Sequence, residues 1–273
     1  MRTAYQGEPG AYSEAAALEV HPGTDLMPCP SFEAVFDAVK SGVTTDGVIP
    51  LENTIGGSIH RNFDLLVEHD LSIVGEVEIA VEHCLLVNPG TTRSAIRRVY
   101  SHPQGLAQCE MFLRAMEGVE IVATYDTAGS AKLVRDGQFP DAAAIASRRA
   151  ADVFGLEVLE SGIQDYAMNI TRFAVIARQP DPSVLGEKTT IVFALPNEPG
   201  SLYRALGVFA ERQIDLTKLE SRPIRGRAWE YMFYADLALG RHELKCARAL
   251  VHLAEFAKWI RTLGSYPRWK ERT

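Results

Sequence analysis

The sequence predicts an α/β protein in two parts: a larger segment of alternating strands and helices, then a smaller tail with the order βαββαβ. Three observations predict it. Short apolar runs of strand length alternate with amphipathic helical stretches as far as residue 178. The stretch "RQPDPSVLGEK" (178–188) then interrupts the pattern with two prolines, a glycine and few apolar residues, which reads as a linker. Beyond it the apolar rhythm restarts in a different order. A length of 273 residues also suits two domains.

The elements follow in order. "DGVIPL" (46–51), "IRRVYS" (96–101), "VEIVAT" (119–124), "AAAIA" (142–146) and "TRFAVIA" (171–177) read as buried strands. "SFEAVFDAVKSG" sets Phe32, Val35, Phe36 and Val39 at helical spacing, and Gly42 is a C-terminal stop. "IHRNFDLLVEH" (59–69) and "HPQGLAQCEMFLRAM" (102–116) are further helices. Alternation of this kind implies parallel strands, with ligands at strand carboxyl ends near helix N-termini. In the tail, "KTTIVFAL" (188–195) is a strand and "PGSLYRALGVFAERQ" (199–213) a helix. "DLTKLESRPI" (215–224) and "AWEYMFYADLAL" (228–239) form a hairpin around "RGR". "HELKCARALVHLAEF" (242–256) is a second helix and "KWIRTLGSY" (258–266) a last strand. That order is a ferredoxin-like unit.

Composition excludes several classes. Hydrophobic residues make up 47% of the chain, enough for a sizeable core. The formal charge is −7 and no basic run or basic–aromatic stripe occurs, which argues against nucleic acid. No apolar run approaches the length of a membrane-spanning helix, and "MRTAYQGEPG" has no apolar signal core. Cys29, Cys84, Cys109 and Cys246 are far apart and read as buried thiols, so the expected location is the reducing cytoplasm. The histidines show no HExxH and no metal-ligand spacing with the cysteines. No GxSxG, P-loop or GxGxxG is present. The expected chemistry uses no metal and no cofactor.

Three stretches carry candidate chemistry. In "IPLENTIGGSI" (49–59) a strand ends in Glu52, Asn53 and Thr54, then two glycines precede a helix. Glycines let backbone N–H groups approach a ligand, and a helix N-terminus favours an anion, although a polar strand-to-helix turn explains the pattern as well. In "YSHPQGLAQ" (100–108) Ser101 and Gln104 match a capping box, and Gln108 lies two turns on, on nearly the same helical face. Either a cap or a cleft contact fits Ser101. In "QDYAMNITRFAVIAR" (164–178) Asn169, Thr171 and Arg172 sit at the start of an apolar strand. Strand side chains alternate faces, so Asn169 and Thr171 share one. Arg172 either pairs on the other side or enters the cleft through an irregular strand start.

The motifs "GEPGAYSEAA", "GVIPLENTIGGSI", "YSHPQGLAQC" and "NITRF" resemble the prephenate dehydratase family, in order and across the whole chain. The tail, through "NEPGSLYRAL" (197–206) and "ESRP" (220–223), resembles that family's regulatory ACT domain. It departs in reading Gly200-Ser201-Leu202-Tyr203 where the family often has Gly-Ala-Leu-Val. The resemblance implies a catalytic domain over 1–178 with two lobes like a periplasmic binding protein, a linker over 179–187 and an ACT domain over 188–273. No mutase-like segment precedes the catalytic part, so a monofunctional enzyme is expected.

What the resemblance implies chemically is a reaction that removes water and carbon dioxide from prephenate to give phenylpyruvate. Aromatisation drives it without a cofactor. Hydroxide is a poor leaving group and needs a proton or a strong hydrogen bond as it departs. Thr171 and Glu52 are the catalytic candidates, with the ultimate proton source open between them. Asn53, Thr54, Gly57, Ser58, Ser101, Gln108 and Asn169 are the substrate-binding set. Arg172, with backbone amides near Gly56 and Gly57, is the expected anion anchor. Phenylalanine is the expected allosteric inhibitor, bound where two ACT domains meet at Asn197, Pro199, Gly200, Ser201, Leu202, Glu220 and Ser221, which implies a homodimer or homotetramer. Arogenate in place of prephenate, and a non-catalytic amino acid sensor, are the alternatives.

Overall fold

The computed structural model describes residues 1–270 and divides into two compact units. The last three residues of the expected tail domain lie outside the described residues. One unit comprises residues 1–65 and 77–174; the other comprises residues 66–76 and the chain from 175 onward.

The first unit contains two sheets. The chain begins with β1 (Arg2–Gln6), α1 (Tyr12–Val20), β2 (Asp25–Cys29), α2 (Phe32–Ser41) and β3 (Asp46–Asn53). Strands β1, β2 and β3 are parallel, with β1 between the other two. Ser31 caps α2 by accepting from the Ala34 amide, and Gly42 ends it in the left-handed region, as the sequence predicts. β4 (Gly57–Ser58) folds back on β3 as a tight hairpin before α3 (His60–Glu68). The two glycines therefore serve a hairpin, not a direct strand-to-helix turn.

After β5 (Ser72–Ala80) the chain enters a second sheet. It comprises β6 (Cys84–Val87), β7 (Arg98–Ser101), β8 (Glu120–Ala123), β9 (Ala142–Ala146) and β10 (Glu157–Ser161), in the order β10-β6-β9-β7-β8. Its helices are α4 (Pro103–Gln108), α5 (Glu110–Arg114), α6 (Thr127–Gly137) and α7 (Arg148–Phe154). β7, β8 and β9 are parallel, whereas β6 runs antiparallel to both its neighbours. β9 is alanine throughout except Ile145 and wholly buried, and α6 packs closely along it, where small side chains fit. The chain then returns through residues 162–169 to β11 (Ile170–Ala177), which lies beside β3 in the first sheet. The sheets thus form two lobes joined by two crossings, 81–83 and 162–169.

Gly10 pins the lobes together. Its φ is +91°, and an added Cβ would lie 2.7 Å from the Ala150 Cα of α7. Ser147 Oγ donates to the Gly10 carbonyl at 2.6 Å. Neighbouring Ala11 is buried in the second lobe's core.

In the second unit, β12 (Lys188–Ala194), α8 (Ser201–Ala210), β13 (Leu216–Pro223), β14 (Tyr231–Leu237), α9 (Leu244–Ala254) and β15 (Trp259–Tyr266) follow the predicted βαββαβ order. The antiparallel sheet runs β13-β14-β12-β15. One face carries a core built on Ile191, Phe193, Phe209, Ala249 and Leu253. Residues 66–76 belong to this unit. The Arg261 guanidinium donates to the Val67 and His69 carbonyls at 3.0 and 2.8 Å, and Gly264 pairs with Ile73. Lys188 is buried with its ammonium 2.8 Å from Glu76 and 3.5 Å from Asp236. Thr190 Oγ1 donates to the other Asp236 oxygen at 2.7 Å.

Removing one charge from a buried cluster leaves its partners uncompensated. Lys188→Ala is therefore expected to cost about 3–5 kcal/mol, read from the denaturant midpoint. A change below about 1 kcal/mol, the scale of an exposed pair, would contradict the burial described.

Candidate active site

A cavity of about 490 Å³ lies in the first unit and takes its wall from both lobes. Asn53 and Thr171 come from the ends of β3 and β11, Gln108 from the end of α4, and His83 from the first crossing. The remaining wall is largely helix N-termini. Tyr12 and Ser13 open α1, Ser31 and Phe32 open α2, Gln104 and Gly105 open α4, and Asp126 and Thr127 open α6. The positive ends of helix dipoles from both lobes thus face one space. Among the described residues no lysine or arginine contributes to the wall.

Three amides form a closed ring beside the cavity. Asn53 Nδ2 donates to Asn169 Oδ1 at 2.7 Å, Asn169 Nδ2 to Gln108 Oε1 at 2.9 Å, and Gln108 Nε2 to Asn53 Oδ1 at 3.3 Å. Asn53 Oδ1 also accepts from the Ile55 and Gly56 amides at 3.0 and 2.7 Å. The hairpin supplies these two donors by curling its backbone around the side chain. Asn53 Nδ2 lies 3.0 Å from Thr171 Oγ1 and donates to it. Since the threonine oxygen is an acceptor there, its own hydrogen is left to point elsewhere, and Thr171 lines the cavity.

Main-chain bonds join β3 to β11 around this point. The Thr54 amide donates to the Ile170 carbonyl at 2.9 Å, and the Ile170 amide to Thr54 Oγ1 at 3.0 Å. Asn53 and Thr171 are 118 residues apart in sequence yet adjacent in space.

The surroundings shift several ionisable groups of the wall, and Glu33, also in the wall, is held low by Arg61. Burial lowers the pKa of His83, and the bond to Gln108 opposes that shift. Burial also lowers His102, with Asp126 acting the other way. Desolvation raises Asp126, partly offset by the Gly129 amide that it caps. The Tyr12 phenol is pushed well above its usual value, first by burial. Among the described residues, no group of three or more His, Cys, Asp or Glu is placed to hold a metal ion.

This geometry has known counterparts. The prephenate dehydratase family model matches residues 3–181, and the ACT domain model matches 189–238. The chain belongs to the prephenate dehydratase family. It is a lyase of that family, with a dehydratase segment followed by an ACT domain. A relative from Arabidopsis thaliana, arogenate dehydratase/prephenate dehydratase 2, chloroplastic, is 47% identical over 98% of this chain and 73% of its own. Prephenate dehydratase from Arthrobacter aurescens, solved in complex with L-Phe, superposes with a TM-score of 0.89 at 30% identity, covering 98% of this chain and 90% of that one. A structure described as "GqqA- a novel type of quorum quenching acylases" gives the same TM-score at 36% identity and covers both chains completely. The two-lobed fold and the ferredoxin-like tail are therefore family features.

Against the family expectation, the structure gathers Asn53, Gln108, Asn169 and Thr171 and disperses the other candidates. Arg172 Nε donates to Glu52 Oε1 at 2.7 Å, and neither residue lines the cavity. Strand alternation sends both to the opposite face from Asn53 and Thr171. In this arrangement Arg172 and Glu52 pair with each other on that face, the first of the two placements open to Arg172 in the sequence. Ser101 is neither cap nor wall. It is fully buried in β7 and donates to the Ile145 carbonyl at 2.7 Å, while His102 caps α4 by accepting from the Gln104 amide. Thr54 latches main chain, and Gly57 and Ser58 form the hairpin outside the wall. The Gly56 amide is bonded to Asn53 and so does not serve as an anion donor. The Gln104 amide occupies the place a Gly56 Cβ would take.

In the second unit, Asn197 and Pro199 lie in the loop after β12, and Gly200, at φ +82°, leads into α8 with Ser201 and Leu202. Ser221 is level with Phe233 and Phe193 across the sheet, so Glu220 and Ser221 lie towards the same sheet end as that loop. Glu220 is 3.0 Å from Lys218.

Sequence reasoning missed His83 and the convergence of four helix starts. The capping signals of "PSFE" and "YDT" are visible one at a time; only the topology brings them together.

Because His83 and His102 are held low, the folded state binds fewer protons than the unfolded chain once pH drops below about 6.5. Stability is then lost as pH falls through that value. The Glu33 carboxylate, held low by Arg61, loses its contribution only as pH falls below the ordinary unfolded glutamate value of about 4.3. Tm should fall between pH 7 and 5.5, and His83→Gln should flatten the fall. A Tm constant over that window would contradict the assigned neutral state.

Proposed function

We propose that the cavity of the first unit binds prephenate and that Thr171 donates the hydrogen bond that the departing ring hydroxyl requires. One observation carries this reading. Asn53 holds the Thr171 oxygen as an acceptor on the strand side, so the hydroxyl proton is available to the cavity. A threonine hydroxyl is too weak an acid to be the source of the proton by itself, and donates or relays it. Asn53, Asn169 and Gln108 orient that donor.

The wall also suits a substrate with two carboxylates, one of which must leave. Helix N-termini attract anions with partial charge only. A full cation beside the departing carboxylate would stabilise the ground state more than the transition state, where that charge is disappearing. We assign residues 1–178 to catalysis, 179–187 to the linker and 188–273 to regulation, consistent with the segments that the family models match.

We further infer inhibition by L-phenylalanine at Asn197, Pro199–Leu202, Glu220 and Ser221, in a homodimer or homotetramer. The support is the L-Phe complex of the Arthrobacter aurescens relative, the common sheet end of these residues, and the edge position of β13 with Leu219 and Tyr231 exposed near it. Clamped at its start in the second unit, β5 runs on to Ala80 and thence to the crossing that carries His83. An effector on the tail thus has a covalent route towards the site. Four free, buried cysteines suit a reducing compartment such as the cytoplasm, although the Arabidopsis relative is chloroplastic by name.

Phenylpyruvate formation from prephenate tests the reading. Thr171→Ala is expected to lower kcat by roughly 10²-fold or more while remaining folded, and Thr171→Ser to retain more activity. Near-normal kcat in a folded Thr171→Ala protein would remove Thr171 from the chemistry. Run beside it, arogenate should turn over more slowly than prephenate, and L-phenylalanine should inhibit. Faster turnover of arogenate would reassign the substrate.

A further inference from the structure

The amide ring fixes the protonation of a histidine that the reaction scheme has not used. Main-chain N–H groups can only donate, so the Asn53 atom facing the Ile55 and Gly56 amides is its oxygen. Its nitrogen therefore faces Asn169 and Thr171. The Asn169 atom that meets it must be oxygen, so the Asn169 nitrogen faces Gln108. The Gln108 atom that meets this nitrogen is again oxygen. His83 Nε2 lies 2.8 Å from the same Gln108 oxygen, where only a donor fits. His83 thus carries its proton on Nε2. Its Nδ1 lies 3.2 Å from the Tyr12 phenol, which donates its one hydrogen to the Glu82 carbonyl at 2.7 Å. The two backbone hydrogens in the hairpin thus orient the amides of Asn53, Asn169 and Gln108 and place a hydrogen on His83 Nε2.

His83 also sits where the lobes are joined. It belongs to the first crossing, and its amide donates to Gln164 Oε1 of the second crossing at 3.0 Å. The Ile163 amide donates back to the His83 carbonyl at 3.1 Å. The ring is 2% exposed and stands edge-on to Tyr12 of the first lobe. Gln108 projects from the second lobe. Without the imidazole donor, the Gln108 oxygen loses one of its two partners, and the side chain that closes the amide ring is free to turn.

We propose that His83 is a positioning residue of the dehydratase. Through its Nε2–H it holds Gln108 against Asn53 and Asn169, and through them it keeps the Thr171 hydroxyl aimed into the cavity. This rests on the reading of Thr171 as the donor to the leaving hydroxyl. His83 transfers no proton and touches no substrate atom in this role. Its contribution is to kcat and not to substrate affinity, because it restrains a group whose bond strengthens as the hydroxyl departs.

The test combines tautomer detection with two replacements in the full-length protein. Long-range proton–nitrogen NMR of histidine-labelled protein near neutral pH, with the His83 signals assigned by their loss in His83→Gln, should give a neutral ring protonated on Nε2. Protonation on Nδ1 instead would overturn the inference whatever the kinetics. His83→Leu fills the space without a donor and should lower kcat on prephenate by roughly tenfold or more, with KM little changed, the scale expected when a catalytic group is misaligned. His83→Gln restores an N–H near the Nε2 position and should recover most of that loss. Equal loss in the Leu and Gln variants would overturn it, and so would a normal kcat in His83→Leu beside a slow Thr171→Ala. A slow His83→Leu beside a normal Thr171→Ala would instead sink the Thr171 reading, and this inference with it.

Discussion

Two backbone N–H groups meeting the carboxamide oxygen of Asn53 set the terms for the rest of the site. The hairpin from Asn53 to Ser58 exists because β4 folds back on β3, and its curvature aims the Ile55 and Gly56 amides at the side chain that starts it. The oxygen is thereby held inward and the nitrogen outward. Every neighbour that meets this nitrogen must accept, and one of those neighbours is the hydroxyl oxygen of Thr171. A hydroxyl has one hydrogen. Occupying its oxygen from behind leaves that hydrogen for whatever lies in front. In a buried network a bond of this kind is both stronger and more costly to lose than in water. The hairpin is thus a device for setting the direction of one O–H bond.

The topology is what allows this. β3 and β11 are neighbours in the sheet, but the second lobe is inserted between them in sequence. The same insertion brings Gln108 to the ring from the other lobe and Asn169 from the returning crossing. The ring therefore ties both lobes and the second crossing together. Around it, helix starts from both lobes supply partial positive charge, and among the described residues no lysine or arginine joins the wall. For a reaction whose second carboxylate vanishes as carbon dioxide, that is a consistent electrostatic choice: enough field to attract the substrate, not enough to hold the charge that must leave.

Much of this was legible in the sequence, for identifiable reasons. The tail's element order, the cap and stop of α2 and the strands β9 and β11 follow from local apolar periodicity and glycine placement, which the fold does not override. Asn53, Gln108, Asn169 and Thr171 stood out as polar residues where apolar runs begin or end. Alternation along β11 left two places open for Arg172, and the ion pair with Glu52 on the far face is one of them. What was not legible depends on distant partners. Ser101 matched a capping box, yet its hydroxyl is taken by the Ile145 carbonyl of the neighbouring strand, which no local pattern reveals. "GGS" reads equally as a loop or a hairpin until the partner strand is known. His83 lies between two strands in "VEHCLL", with nothing near it in sequence to give its ring a role.

The most direct measurement is a double-mutant cycle between Asn53 and Thr171. Asn53→Asp keeps an oxygen facing the hairpin amides but puts a second oxygen where the nitrogen was. Thr171 would then turn its hydrogen back towards residue 53. With folding verified, Asn53→Asp should lower kcat on prephenate about as much as removing the Thr171 hydroxyl, roughly 10²-fold, and the double variant should be little slower than either single one. Losses that multiply, or a normal kcat in Asn53→Asp, would contradict the claim that Asn53 acts by directing the Thr171 proton.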